Sequence, residues 1–541
     1  GGNVLTLVST GDVQVQSGAL LSGTNVSAIS SNITFVGAGA TPPATGMVID
    51  AATLAQLAQS QSVNLQSYGD IAFDGNVDIQ MNSPSATLTL GAGTFSDDGG
   101  QVTIAAPTLV LDNTMGASAL AAPGTGSLGI DVGQLIFSTG AEALSGFGSV
   151  SLAAHQAVIG QGTGSMDFGG LTVTLQTPTL IAGTASEQTL TTTGALSVVP
   201  IDDSAPIASD ALGGAITLQG GSVNVAVPVQ AQGGNISLQA SAGDVIVAAT
   251  GALISHGLAK QFNDTTAFAS GGAITLSADQ GTVDIEPGAL IDFSGALSGG
   301  NGGSLAITTT GSATSVQLDG TLLGTTAAGG AGSNFSLNTA AAADLDNLAQ
   351  VLTSAGITGG ISVQTGQGDL TLNGTLTASQ VALVANAGTV TVNGAITANG
   401  TSVLTGEIDL YGTAGVDVEG SLVATGSPNS QKPGGIINIG TTGTGSTTSL
   451  NSTYGYENVD PSASGTITVG ANALIHASGG TVTLRAPILD AENAQGMNVN
   501  LSLPAAFAPG KGVFGGTVDL EVYAVWSTAD QSTNPAQHFD G

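Results

Sequence analysis

Apolar and polar residues alternate along the stretch 368–398, which contains two closely similar phrases. One phrase reads GDLTLNGTLTA and the other GTVTVNGAITA, and their first residues, Gly368 and Gly388, are 20 positions apart. A period of two is typical of a strand with one buried face. The Asn-Gly pair in each phrase tolerates positive φ, so the chain can bend there. A strand, a corner and another strand, repeated at this length, predict a parallel β-solenoid.

The alternating apolar residues of these two phrases are candidates for a stacked core. They are Leu370 and Leu372 in the first copy, and Val390 and Val392 in the second. Every second side chain of a strand points to the same face, so these four should pack inside while Thr, Ser, Asn and Gln face water. The fold class we predict is all-β, a parallel β-helix with about 20 residues per coil and short helical insertions.

Other phrases recur along the chain and extend this prediction. A strand followed by Gly-Ala-Leu occurs as GDVQVQSGALLSG, GDVIVAATGALISHG and GTVDIEPGALIDFSG, which begin at Gly11, Gly243 and Gly281. A Gly-Gly pair before an alternating strand occurs as GGAITLQG, GGNISLQA and GGAITLSA, all between residues 213 and 278. Glycine pairs before strands indicate tight corners. Because each repeat packs only on its neighbours, a chain of 541 residues can exceed the size of one globular core.

Four segments interrupt the alternating pattern. Residues 50–60 and 344–355 have leucines at helical spacing, with Asp50 as a candidate cap for the first, and both are predicted as short helical insertions. Residues 258–270 and 427–463 are predicted as loop insertions into the ladder. An insertion of this kind is a favoured place for binding, and a passive surface loop is the alternative interpretation.

The segment 200–212 is acidic and contains proline, and we interpret it as a break between two halves of the solenoid. The first predicted part, residues 1–205, contains the first helical insertion. The second predicted part, residues 206–541, contains the second helical insertion and the later loop insertion.

The charge balance excludes several classes of partner. The chain has 4 Lys and Arg against 37 Asp and Glu, which gives a net charge of −33. Four bases cannot neutralise a nucleic-acid backbone or hold an anionic membrane surface, so no nucleic acid is expected as a partner. No apolar run reaches the roughly 18 residues of a membrane-spanning helix, so no membrane insertion is expected.

The absence of cysteine fits an exported protein that avoids chance disulfides in transit. Gly1 already lies within a strand-like pattern, where a signal peptide would have an apolar helical stretch. We therefore expect the chain to begin inside a longer precursor.

No set of residues has the spacing of a catalytic, cofactor-binding or metal site. The histidines lack the His-Glu-x-x-His spacing of a metal site and are read as isolated residues: His155, His256, His476 and His538. Hydrolase chemistry needs paired carboxylates in a cleft, and the acidic candidates occur in turn-like or outward-facing positions: Asp97 with Asp98, Asp202 with Asp203, and Asp284 with Glu286 and Asp292. We therefore predict no catalytic, cofactor-binding or metal residues, no cofactor and no enzymatic activity.

Several longer phrases resemble the filamentous-haemagglutinin-like large exoproteins of Gram-negative bacteria. They are LAQLAQSQSVNLQSYGDIAFDG, GGNISLQASAGDVIVAATGALISHG and the segment LDNLAQVL, and the resemblance covers roughly residues 45–425. It implies a right-handed parallel β-helix, two-partner secretion through an outer-membrane partner, and a secreted, extracellular or cell-surface location. The family's Asn-Pro-Asn secretion motif does not occur in this sequence, so the resemblance does not support a particular export route. An Arg-Gly-Asp triplet is also absent from the sequence, so adhesion through that triplet is not supported.

The function we expect is structural, with the chain acting in adhesion, in aggregation or as a biofilm-matrix fibre. Many hydroxyl and amide groups and few charges suit contacts with glycans or proteins of a host or neighbouring cell, and with further copies stacked end to end. Two alternatives stay open. One is a polysaccharide-active β-helix enzyme, a lyase or hydrolase, and the other is the stalk of a contact-dependent toxin delivery protein.

Overall fold

The computed structural model describes residues 3–14, 21–202, 204–311, 315–402, 404–427, 434–441, 450–451, 456–457, 465–489 and 498–525. Within these residues the protein is almost entirely β, with two short helices, α1 (Ala51–Leu57) and α2 (Leu345–Ser354).

The strands of the first part of the chain are β1 (Val4–Val8), β2 (Asn25–Ser30), β3 (Ile33–Val36), β4 (Met47–Ile49), β5 (Ser62–Ser67), β6 (Asp70–Asp74), β7 (Val77–Gln80), β8 (Thr87–Gly91), β9 (Thr94–Asp97), β10 (Gln101–Asp112), β11 (Ala122–Phe137), β12 (Gly140–Gly160), β13 (Thr163–Asp167), β14 (Val173–Gln176), β15 (Leu180–Ala182), β16 (Glu187–Thr191), β17 (Ala195–Val199), β18 (Ala215–Gly220), β19 (Ser222–Val225), β20 (Pro228–Gln230), β21 (Asn235–Ala240), β22 (Val245–Val247), β23 (Ala252–Ile254), β24 (Ala259–Phe262), β25 (Thr265–Phe268), β26 (Ala273–Ala278), β27 (Val283–Ile285) and β28 (Leu290–Asp292).

The strands of the remaining part are β29 (Ser304–Thr309), β30 (Val316–Leu318), β31 (Thr321–Leu323), β32 (Asn334–Thr339), β33 (Gly360–Thr365), β34 (Leu370–Leu372), β35 (Thr375–Ala378), β36 (Gln380–Ala385), β37 (Thr389–Val392), β38 (Ala395–Ala398), β39 (Glu407–Gly412), β40 (Gly415–Val418), β41 (Ser421–Ala424), β42 (Ile436–Gly440), β43 (Leu450–Asn451), β44 (Tyr456–Glu457), β45 (Thr466–Val469), β46 (Leu474–Ala477), β47 (Thr481–Leu489), β48 (Asn498–Val499), β49 (Leu501–Ser502), β50 (Gly512–Phe514) and β51 (Thr517–Val525).

The chain forms two compact units. Unit 1 comprises Gly1–Ser304, Gln317–Leu323 and Ala327–Gly329, and unit 2 comprises Leu305–Val316, Gly324–Thr326 and Gly330–Gly541. The boundary expected at residues 205/206 lies inside unit 1. Strands β16 and β18, one on each side of that position, pair directly in parallel. Between them, β17 stays in the ladder and pairs with β14 and β19, so the described residues from 200 to 214 are a loop that leaves it.

Unit 1 is a parallel β-solenoid with three faces, which we name A, B and C. Face A contains β5, β8, the second half of β10, and then β15, β20, β23, β28 and β31. Face B contains β6, β9, β13, β16, β18, β21 and β26. Face C contains β7, the first half of β10, β14, β17, β19, β22 and β27. Strands β10, β11 and β12 continue around corners and contribute to more than one face.

Unit 2 is also a parallel β-solenoid built from three sheets. They contain β33, β36, β39, β42, β47 and β51 in the first, β34, β37, β40, β45 and β49 in the second, and β35, β38, β41, β46 and β50 in the third. The predicted core stack is confirmed, since Leu370 pairs with Val390 and Leu372 with Val392. All four side chains are completely buried. The prediction of an all-β parallel solenoid is therefore confirmed.

The coils vary in length more than the sequence repeat suggested. A step of 20 residues joins Leu370 to Val390, but 26 residues join Val390 to Val416 on the next coil. The inward positions keep their register at each step, and the extra residues lie in the connections. Register is preserved because a slip by one residue would turn every inward side chain of the strand toward water.

The Asn-Gly corners are fixed by polar contacts between coils. The Asn393 Nδ2 group donates to Asn373 Oδ1 at 2.8 Å, directly across two coils. Above Asn373, the carboxylate of Asp346 in α2 accepts from the Asn373 and Gly374 backbone N–H groups at 2.8 and 2.9 Å. These hydrogen bonds lower the pKa of Asp346, and the bond from the Gly374 backbone has the largest effect. A Cβ at Gly394 would overlap the carbonyl oxygen of Gly374, so position 394 has to be glycine.

Both predicted helical insertions are present. The carboxylate of Asp50 accepts from Thr53 N at 2.8 Å and caps α1, as the sequence indicated. Asp344 caps α2 in the same way, with Asn347 N at 3.1 Å. The insertion predicted at 258–270 is also present, as an exposed antiparallel hairpin of β24 and β25.

The loop insertion predicted at 427–463 is wrong for residues 436–440, whereas β43 and β44 form a separate antiparallel pair outside the ladder, as an insertion would. Residues Ile436–Gly440 form β42, which pairs with β39 on one side and β47 on the other. The sequence explains why this segment is a strand. It repeats the Gly-Gly phrase of the earlier coils, with Gly434-Gly435 followed by alternating Ile437 and Ile439. The predicted insertion otherwise lies mostly outside the described residues.

Replacing Leu372 by Ala should lower the free energy of unfolding of unit 2 by about 3 kcal/mol, because it leaves a cavity in a completely buried stack. Thr371→Ala, on the outward side of the same strand, should change it by no more than about 0.5 kcal/mol. Urea unfolding followed by circular dichroism measures both. Equal shifts for the two variants would contradict the inward and outward assignment.

Candidate functional site

An open cleft of about 640 Å³ lies on the outer side of face C in unit 1. Four neighbouring strands form its floor: β7, β10, β11 and β12. Two outward rows cross these strands in register, Asp78–Thr103–Gly129–Ser151 and Gln80–Ala105–Asp131–Ala153. The residues between the rows point inward and are buried, so the ladder presents only these outward side chains to a ligand.

The cleft is hollow because the centre of its floor has small side chains. Gly129 and Ala105 are diagonal neighbours on adjacent strands, and Ala153 lies on the next strand. A Cβ built at Gly129 would come no closer than 3.9 Å to its nearest neighbours, Thr103 Cγ2 and Val102 O. A larger side chain at Gly129 would therefore fill the cleft without disturbing the strands below.

Hydrogen bonds hold the polar side chains along one side of the cleft. Asp78 accepts from Thr103 Oγ1 at 2.6 Å and from Gln80 Nε2 at 2.9 Å. Nearby, Asn76 Oδ1 accepts from the backbone N–H of Gln101 at 2.9 Å. The lining combines hydroxyl, amide and carboxylate groups with aliphatic side chains such as Val77 and Ile104, and it includes no aromatic ring. Such a surface can exchange hydrogen bonds with a ligand that carries many hydroxyl groups.

On the other side of the cleft, Asp131 contacts a histidine that the sequence analysis read as isolated. Asp131 Oδ1 lies 2.8 Å from His155 Nε2, and Asp202 Oδ2 lies 3.4 Å from the other ring nitrogen. The partners lie 24 and 47 residues away in the chain, about one and two coils. The length of one coil could have indicated that Asp131 and Asp202 lie near His155 only if the register of each coil had been known.

The remaining sequence candidates do not converge on one site. His256 Nδ1 lies 3.1 Å from Asp292 Oδ2, and Ser294 Oγ donates to Asp292 Oδ1 at 2.6 Å. Burial raises the pKa of Asp292, but the hydrogen bonds from His256 and Ser294 outweigh it and leave the pKa below its ordinary value. Asp284 lies on the outward side of β27, as expected, and burial with the nearby charge of Glu286 raises its pKa.

Two further described candidates, Asp97 and His476, have no partner that suggests chemistry. Asp97 ends β9, where its Oδ2 accepts from Gly99 N at 2.8 Å, a turn contact as the sequence suggested. His476 packs edge-on against Phe514, with ring centroids 6.2 Å apart. Asp203 and His538 lie outside the described residues.

Glu142 of β12 is a buried carboxyl group that was not among the candidates from the sequence. Its side chain points inward beside Met166, is 2% exposed, and has no hydrogen-bond partner for Oε1. Burial, together with the negative charge of Asp112, raises the pKa of Glu142 to about 9. Glu142 is therefore neutral at pH 7, because an ionised carboxylate without a cation would be too costly in this interior. A single Glu among small apolar residues carries no motif that could have revealed this.

Asp112, whose charge acts on Glu142, is held by a hydrogen bond that requires a glycine on the strand between its two partners. Gln66 Nε2 donates to Asp112 Oδ1 at 3.0 Å, although β8 lies between their strands. A Cβ at Gly91, the residue of β8 between them, would overlap Gln66 Oε1. Burial raises the pKa of Asp112, and the Gln66 bond opposes that shift.

Within the described part of the chain, no group of three or more His, Asp or Glu residues is placed to hold a metal ion. None of the described helices is long and apolar enough to cross a membrane. Comparisons with protein families, curated proteins and solved structures found no match to this chain. The geometry of the cleft and the properties of the residues are therefore what bear on function.

Stability should fall as pH rises between 4.5, the ordinary pKa of a glutamate, and about 9, the pKa of Glu142 in the folded protein. In this window the folded state binds a proton that the unfolded state has released, so rising pH favours unfolding. The full effect is on the order of several kcal/mol, since one pKa unit corresponds to about 1.4 kcal/mol. Urea unfolding across this pH range measures the slope.

Glu142→Gln should remove most of this slope and leave a smaller one from the aspartates whose pKa is also raised, among them Asp112 and Asp409. Glu187→Gln removes the same charge from an exposed position of β16 and is the matched control. An unchanged slope in Glu142→Gln would show that Glu142 is not the group responsible.

Proposed function

We propose that this chain is a structural segment of a secreted or cell-surface exoprotein, acting in adhesion, in aggregation or as a matrix fibre without catalysis. Several features support this proposal. A parallel solenoid presents long rows of outward side chains, and its repeats can extend without a new core. The chain has 4 bases in 541 residues, which disfavours polyanionic partners. The resemblance of its phrases to filamentous-haemagglutinin-like exoproteins agrees with this role and with export through an outer-membrane partner.

The observation that carries the proposal is the cleft on face C. Its volume of about 640 Å³ is in the usual range of ligand sites, and its open form suits a segment of a longer polymer. Hydroxyl and amide groups in the lining match the hydroxyl groups of a sugar chain. The cleft contains the carboxylates of Asp78 and Asp131, and the whole chain has a net charge of −33. Both features disfavour anionic polysaccharides. We therefore assign the cleft to an uncharged polysaccharide.

One observation favours the second candidate, a polysaccharide-active enzyme. Asp78 and Asp131 line the same cleft, and glycoside hydrolysis uses two carboxyl groups that flank the scissile bond. Against this, Asp78 already accepts two hydrogen bonds from Thr103 and Gln80, and Asp131 contacts His155. An enzyme would release new reducing ends from a bound polymer, whereas an adhesive surface would leave the polymer length unchanged.

Gly129→Tyr should weaken binding to an uncharged polysaccharide about tenfold or more, because the new ring occupies the floor of the cleft. Thr174→Tyr is the matched control, since Thr174 lies one coil further along the same outward row as Ser151 and outside the cleft lining. Retention in affinity gel electrophoresis with glucan, mannan and galactan measures binding, and a reducing-end assay on the same mixtures measures cleavage.

The glycan assignment fails if the unmodified protein binds none of the three polymers, or if both tyrosine variants bind as it does. New reducing ends that depend on Asp131, tested with Asp131→Asn, would replace the adhesive function with the enzymatic one.

A further inference from the structure

The exposed apolar side chains of unit 1 are not scattered over its surface. Apart from two valines in β1, the large ones in the described part of unit 1 lie at the end of face A or between face A and face B. Ile207 is reached differently, because it lies in the loop after β17 of face C and is held there by Gln230 at the end of face A. We name this line of connections the A–B edge. Its exposed apolar residues are Tyr68, Leu120, Ile207, Phe262, Phe268, Leu297 and Leu323. Solitary exposed apolar residues are ordinary, but a series along one edge marks an interaction surface.

The hairpin of β24 and β25 is the most prominent part of this edge. Phe262 pairs with Thr265 and Phe268 with Ala259, so the two rings lie on opposite faces of the hairpin. On the Phe262 face, Lys260 Nζ contacts Asp210 Oδ2 at 2.8 Å. On the other face, the ring of Phe268 lies against Gly299, close in the chain to Leu297, which is 89% exposed. The hairpin thus connects neighbouring apolar positions along the edge.

The loop that carries Ile207 is also held at this edge. Gln230 ends β20 on face A, and its Nε2 group donates to Ile207 O at 2.7 Å. Gln230 Oε1 accepts from Ser209 N at 2.9 Å. Because both ends of one buried amide hold the loop, Ile207 is kept in place while its side chain stays 46% exposed. Ile207 is therefore a fixed apolar position of the edge.

The area of this edge is sufficient for a stable interface. The exposed fractions of its seven apolar residues amount to about four fully exposed side chains. A Phe, Tyr or Trp side chain buries roughly 150–250 Å², so four side chains of that size set an upper bound of roughly 600–1,000 Å² for the apolar surface of the edge. A standard protein interface takes about 800 Å² from each partner.

We propose that the A–B edge of unit 1 pairs side by side with the same edge of a second copy of this chain. A series of apolar positions spread over several coils is matched most simply by the same series on an identical molecule, in a two-fold symmetric contact. The inference goes beyond the proposed function and holds whether or not the cleft on face C binds a polysaccharide. It differs from end-to-end stacking, which would use the terminal coils.

The electrostatics of such a pair predict an unusual salt dependence. Each copy has a net charge of −33, so two copies repel one another at low ionic strength. The Debye length is about 10 Å at 0.1 M salt and shortens as salt rises, which weakens this repulsion and leaves the apolar contact nearly unchanged. Association should therefore strengthen with salt, whereas binding to a basic protein would weaken.

Sedimentation velocity of the full chain from about 0.02 to about 0.5 M NaCl tests the proposal. We expect a monomer–dimer equilibrium whose dissociation constant falls about tenfold or more over this range. The triple variant Phe262→Ser, Phe268→Ser, Leu297→Ser should remain monomeric. The control Val4→Ser, Val8→Ser removes exposed apolar residues from β1 and should dimerise like the unmodified chain.

A chain that stays monomeric at every salt concentration overturns the proposal, and so does a triple variant that dimerises normally. Loss of association in the β1 control alone would also overturn it, because that result places the contact at the terminal coil.

A cysteine scan provides a second test that does not depend on weakening the contact. The chain has no native cysteine, so single variants Phe262→Cys, Phe268→Cys and Leu297→Cys can form a disulfide only between copies. We expect an oxidised dimer for at least one of them, since a disulfide needs Cα atoms within about 7 Å of each other. Val8→Cys is the control. A cross-link at residue 8 and at none of the three edge positions would overturn the proposal.

Discussion

The structure depends on the register between successive coils. An inward side chain is buried only because the coil on each side presents another apolar side chain at the same level. Ile216, Ile236 and Ile274 illustrate this on face B, where each pairs with the next although the two steps differ greatly in length. Parallel hydrogen bonds hold the backbone at this spacing, and a slip of one residue would expose a whole strand. Everything else in the molecule is arranged outside this ladder.

The sequence predicted those parts of the fold that depend on local alternation. The stack of Leu370 on Val390, the Asn-Gly corners and the Asp50 cap of α1 follow from short phrases, because each needs only neighbouring residues to be recognised. The length of each coil could not be predicted in the same way. A connection can lengthen while the inward positions keep their pairing, so the repeat in space persists where the repeat in sequence is lost.

The same reasoning explains why the cleft and the buried carboxyl group were missed. Asp78, Gly129 and Asp131 come from three strands, and only the register of β7, β10 and β11 places them together. Glu142 lies among small residues whose pattern predicts a strand, but its inward direction depends on pairing with Met166. His155 was read as isolated because both carboxylates that contact it lie on other coils. Chemistry that combines several coils is hidden until the coils are aligned.

The hairpin of β24 and β25 shows how freely this architecture accepts new material. Ile236 and Ile274 remain directly paired, and the residues on both sides of them keep the same register, although the hairpin is placed between their coils. The ladder therefore does not depend on what the connection contains, provided that its two ends return to the same corner. A foreign peptide placed between Leu258 and Ala269 would be carried outward on a rigid support, which makes this position a natural display site for engineered epitopes or enzymes.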